Sequence, residues 1–109
     1  MRLAFLALWF FSLAAVAWLS LQPQPEFPVE FWNADKLYHL GAYFVLALLG
    51  IQSFTSKRGR LAAVLITIAF GVGIEFLQGL VPGRLPSFWD GVANAAGVGL
   101  AWSARRFSK

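Results

Sequence analysis

The opening run, Leu3 to Leu21, carries no charged residue and is long enough to cross a bilayer as a helix. It ends in Gln22-Pro23-Gln24-Pro25, where the prolines remove backbone donors and stop the helix. Near an N-terminus such a run is either a spanning helix or a secretory signal peptide, and Ala15-Val16-Ala17 resembles a small-residue cleavage site. The apolar stretch continues through Trp18 and Leu19, which favours a span. Composition names the solvent: 59% of residues are hydrophobic, 17% aromatic and only 13% charged, a mix suited to lipid. At about 20 residues per spanning helix, 109 residues hold a handful of spans and no separate soluble domain, so residues 1–109 read as a single transmembrane domain.

Three further runs follow, at about 37–54, 61–81 and 88–104. Thr55-Ser56-Lys57-Arg58-Gly59-Arg60 reads as the turn before the third, and Val81-Pro82-Gly83-Arg84 closes it. The fourth is short and contains Asp90 and Asn94, so hydropathy alone leaves it doubtful. Charge placement settles the count. Arg2, the cluster Lys57, Arg58 and Arg60, and the cluster Arg105, Arg106 and Lys109 all fall on one side only if there are four spans. The predicted architecture is an all-α, integral membrane four-helix bundle with both termini cytoplasmic. The loops at 22–35 and 81–88 then face outward, the first resting on the membrane surface through Phe27, Phe31 and Trp32.

The same charge map removes several function classes. Basic residues at helix ends explain the net charge of +4 without nucleic acid as a partner. The absence of cysteine excludes disulfides and thiolate chemistry, and a single histidine, His39, excludes a two-histidine zinc motif; no metal or cofactor is expected.

Polar residues inside the spans form stripes. Lys36, His39 and Tyr43 share a face of the second helix; Thr67, Gly71, Glu75 and Gln78 share one on the third; Asp90, Asn94 and Gly97 share one on the fourth. His39, Glu75 and Asn94 lie at similar depth, roughly 6 to 9 Å inside the outer boundary at the helical rise. An unpaired carboxylate in hydrocarbon costs at least about 2.5 kcal/mol, so Glu75 should face protein or water and find a cation in His39, Lys36 or Arg84. One reading makes Glu75 and Gln78 a hydrogen-bonded clasp between helices; the sharper one makes them part of a ligand or proton site open to the outside. Asp90 has two readings as well, since Ser87-Phe88-Trp89-Asp90 matches a capping box. Asp35 reads equally as a helix cap, and Lys36 as a snorkelling side chain. Arg84 is the one arginine predicted on the outer side, which calls for an anionic partner: Glu75, Asp90, or a phosphate or carboxylate on a ligand. Ala93, Gly97 and Ala101 form a small-residue ridge, and with Gly71 behind Glu75 they predict close approach of the third and fourth helices. The tryptophans and phenylalanines read as lipid contacts and interface belt.

Asp35-Lys36-Leu37-Tyr38-His39 with Tyr43, then Glu75-Phe76-Leu77-Gln78, Pro82-Gly83-Arg84 and Asp90-Gly91-Val92-Ala93-Asn94-Ala95-Ala96-Gly97 occur in one order. Together they resemble the VanZ-like family of small bacterial membrane proteins, named for a component linked to teicoplanin resistance. The resemblance runs from the second span to the end of the fourth. It implies the bacterial cytoplasmic (inner) membrane, and a family motif formed by Lys36, His39, Glu75, Gln78, Arg84, Asp90 and Asn94. The chain is shorter than the resistance protein that gives the family its name, so antibiotic resistance is a family-level expectation, and the resemblance supplies no reaction.

Three functions compete. The first is a non-enzymatic envelope protein binding an anionic lipid headgroup or lipid-linked wall precursor, with Arg84, Lys36 and His39 at the phosphate and Tyr43, Glu75, Gln78, Asp90 and Asn94 shaping the pocket. The second is an enzyme on the same substrate class, with Glu75 and His39 as acid and base; it ranks lower because no nucleophile motif, metal cluster or glycine-rich phosphate loop accompanies the pair. The third, a proton-linked transporter, needs a route to the inner face, where the spans offer only Thr67, Gln52 and Ser53.

Overall fold

The computed structural model describes residues 2–21, 32–80 and 88–105. Among them the chain is all-helical, with α1 Leu3–Ser20, α2 Trp32–Gln52, α3 Lys57–Gln78 and α4 Phe88–Ala104, and no strand. The helices sit where the apolar runs predict, but α2 and α3 each begin four or five residues earlier than those runs. Hydropathy marks the edge of hydrocarbon, whereas a helix continues wherever its backbone bonds remain satisfied. At α3 the cause is local: Ser56 caps the helix by accepting from the Gly59 amide at 3.0 Å, so Lys57–Arg60 form its first turn rather than a loop.

α2 is the hub, touching α1, α3 and α4, while α1 lies at the periphery with Trp9 as its only buried residue. Trp9 packs on Gly50 of α2, where a Cβ would stand 2.9 Å from its ring, so this tryptophan belongs to the core and not to the lipid belt. The core continues through Tyr43, Leu46, Ala47, Ile51, Val64, Val98 and Ala101. Polar bonds tie the helix ends. The Arg2 amide donates to the Ser53 carbonyl and its guanidinium to Gln52 Oε1, each at 2.9 Å, which docks the start of α1 on the end of α2. Beside it, Arg60 Nε donates to the Phe54 carbonyl at 3.0 Å.

The outside is apolar. Phe10, Phe11, Trp18, Leu65, Val72, Phe76 and Leu100 are all more than half exposed, a surface that in water would drive association. α1 and α3 are long and apolar enough to cross a membrane, while the apolar part of α2, Leu37–Gln52, is shorter. The long axis of 41 Å is close to the roughly 40–45 Å of a whole bilayer.

Candidate functional site

The site starts from the contact between α2 and α4. A Cβ on Gly97 would stand 2.2 Å from the Leu40 carbonyl oxygen and 2.9 Å from the Phe44 nitrogen, so the two backbones touch there and only glycine fits. Ala93 and Ala101, one turn to either side, are buried in the same seam. The small-residue ridge therefore serves α2 and α4, not α3 and α4 as its sequence suggested. A ridge on one helix admits any close neighbour, and α2 presents the flatter partner here through its backbone at Leu40 and Phe44.

Close approach sets polar groups face to face. His39 Nδ1 lies 3.1 Å from Asn94 Oδ1, and His39 Nε2 lies 3.7 Å from Asp90 Oδ2. Asp90 and Asn94 are one helical turn apart, so one imidazole spans both, and all three are largely shielded: Asp90 and Asn94 are 8% and 6% exposed. With Asn94 Oδ1 as acceptor, Nδ1 carries a proton; an imidazolium would donate to the amide and the carboxylate together. Asp90 is also the third residue of α4, the position that a capping box uses, so its two readings are compatible.

α3 and α4, by contrast, leave a cleft of about 770 Å³. Its walls are mostly apolar, with Ile68, Val72, Phe76, Val92, Ala95 and Val98, and Glu75 and Asn94 lie about midway along it, between Thr67 at one end and Gly79 and Gly91 at the other. Tyr43 of α2 forms the floor. Its ring rests on Gly71, where a Cβ would come 2.9 Å from Cε2, so the glycine one turn before Glu75 makes room for the phenol. Tyr43 is 2% exposed, and its hydroxyl has no hydrogen-bond partner among the described residues.

The sequence profile of the VanZ/LLP1 family matches residues 3–107. This chain belongs to the VanZ/LLP1 family. The match reaches beyond the motif-bearing helices to include α1. No curated protein and no solved structure matches the chain.

In this VanZ-like chain the residues singled out in the sequence divide three ways. His39, Asp90 and Asn94 meet directly, and Tyr43, Glu75 and Asn94 line the cleft. Gln78 turns elsewhere: its Nε2 donates to the Ser20 carbonyl at 3.0 Å, satisfying one of the acceptors that the end of α1 leaves open. It makes alone an interhelical bond of the kind that the milder reading gave to Glu75 and Gln78 together. Arg84 and the Lys36 side chain lie outside the described residues. Thr67, on the same stripe, bonds back to the Ala63 carbonyl at 2.8 Å and lines one end of the cleft. Gly79 and Gly91, which the polar stripes passed over, line the other. Each directly follows a motif residue, Gln78 and Asp90, which was the available signal. Among the described residues no group of acidic or histidine side chains is arranged to hold a metal ion.

Proposed function

We propose that this protein is a multi-pass component of the bacterial cytoplasmic membrane that binds an anionic amphiphile, a lipid or lipid-linked wall precursor, in the cleft between α3 and α4. The observation that carries the reading is the shape and lining of that cleft: apolar over most of its walls, polar midway along with Glu75 and Asn94, and of a volume typical of ligand sites. A chain laid against Ile68, Val72, Ala95 and Val98 keeps hydrocarbon in hydrocarbon, while the headgroup lies from Glu75 and Asn94 toward Gly79 and Gly91. Arg84, between α3 and α4, and Lys36, in the first turns of α2, supply the cationic partners a phosphate needs. The basic residues Arg2, Arg60 and their neighbours gather at the opposite end, which supports a cytoplasmic position for that end and an outward-facing site.

Lipid retained by the purified protein tests this by native mass spectrometry. Ala95→Trp fills the cleft and Arg84→Ala removes the phosphate partner, so both should strip a lipid that wild type carries. Ala62→Trp, exposed on α3 away from the cleft, should keep it. Unchanged lipid in Ala95→Trp would remove the cleft from the account.

A further inference from the structure

The unpartnered hydroxyl of Tyr43 carries the reading one step further, to the chemistry of the ligand. A buried hydroxyl without a hydrogen bond is destabilising, and native interiors rarely tolerate one. Here it lies at the edge of the ring seated on Gly71, and Tyr43, Gly71 and Glu75 all line the cleft. One helical turn separates Gly71, on which the Tyr43 ring rests, from Glu75, so Tyr43 and Glu75 flank the same stretch of the cleft. We infer that the cleft is built for an amphiphile with a free hydroxyl at the junction of its chain and headgroup, held between Tyr43 and Glu75. This rests on the lipid-binding reading above.

The argument is one of donor and acceptor inventory. An ionised Glu75 only accepts, so a group bound to it must donate; Tyr43 has a donor to give, so the same group must also accept. A hydroxyl does both from a single atom. An ester only accepts and leaves Glu75 without a new bond, while a trans amide directs its N–H and C=O in opposite directions and does not meet both from a single atom. Asn94, across the cleft, has spent Oδ1 on His39 and retains amide donors for the next oxygen outward. The order from inside to outside is then chain, hydroxyl, phosphate. A single-chain glycerophospholipid, with a hydroxyl where the second acyl chain would be esterified, has that order. The hydroxyl of Tyr43 is closed off when the cleft is empty, so entry requires a slight parting of the seam between α3 and α4, where the cleft already interrupts their packing.

The test compares two probes on purified full-length protein: lysophosphatidic acid, and its deoxy analogue lacking only the secondary hydroxyl. Wild type should bind the hydroxylated probe roughly 30-fold more tightly, the worth of two net hydrogen bonds at about 1 kcal/mol each. Tyr43→Phe removes one of the two and should reduce the preference to roughly fivefold. Its ligand-free melting temperature should equal or exceed that of wild type, which excludes misfolding as the cause. Gly71→Ala, which displaces the ring, should reduce the preference as well. Equal binding of both probes by wild type, or a preference undiminished in Tyr43→Phe, overturns the hydroxyl assignment and leaves the lipid cleft standing. Failure of both probes to bind wild type, with no lipid lost from Ala95→Trp, overturns both.

Discussion

Replacing Gly97 by alanine should be the most damaging such change among the described helix glycines. The added Cβ would sit 2.2 Å from a backbone oxygen of α2, more than an ångström inside ordinary contact, and no side-chain rotation relieves it. The helices must separate, and overpacking of this kind costs about 1–3 kcal/mol. Alanine returns about 0.5–1 kcal/mol of helix propensity. Separation also stretches the bond between His39 and Asn94, about 1 kcal/mol more, because Asn94 is less than a turn away. The net loss is roughly 1–3 kcal/mol. Gly99 on the same helix is the control, since nothing lies within 4 Å of a Cβ there. Gly99→Ala should be neutral or gain up to about 1 kcal/mol. Denaturant unfolding in detergent micelles measures both. A Gly97→Ala variant as stable as Gly99→Ala would refute the close α2–α4 contact on which the site is built.

Gln78→Ala should loosen the outer end of α1 at a cost of about 0.6–1.7 kcal/mol, the range for hydrogen bonds between membrane helices, and leave lipid binding in place. Thermal stability and lipid retention on the same sample separate the two effects. Reporter fusions after Lys57 and after Lys109 should both read as cytoplasmic; an external reading at Lys109 would remove a span from the proposed topology.

Helix number and the stripes on α2 and α4 were legible because both follow from backbone periodicity and charge placement, which neighbours do not alter. Partner choice was not legible. The ridge of Ala93, Gly97 and Ala101 states that some helix comes close, and only the assembled bundle shows that it is α2. Gln78 misled for an angular reason. Three residues apart at 3.6 per turn, Glu75 and Gln78 diverge by about 60° around α3, enough to send one toward α4 and the other toward α1. Gly71 was read as a place for helix backbones to meet, but it admits a phenol ring, and glycine in a pattern says only that something comes near.

The link between His39 and α4 admits a sharper test than removal of either partner. His39→Phe keeps ring volume but takes away both nitrogens, leaving Asn94 Oδ1 and Asp90 Oδ2 to face an apolar edge. Asp90 retains the support of the α4 N-terminus, so its loss should fall below the 3–5 kcal/mol seen when a fully buried ion pair is broken, at about 1–3 kcal/mol. Asp90→Asn alone should cost about 1 kcal/mol, because an amide faces His39 Nε2 as a weaker acceptor than the carboxylate. In the double variant the carboxylate that faces position 39 is already gone. The combined loss should therefore be smaller than the two single losses together by at least about 1 kcal/mol, since residues in contact couple on that scale. Losses that add to within about 0.5 kcal/mol would mean that the two side chains act independently. The 3.7 Å approach would then be proximity without interaction, and Asp90 would be a helix cap alone.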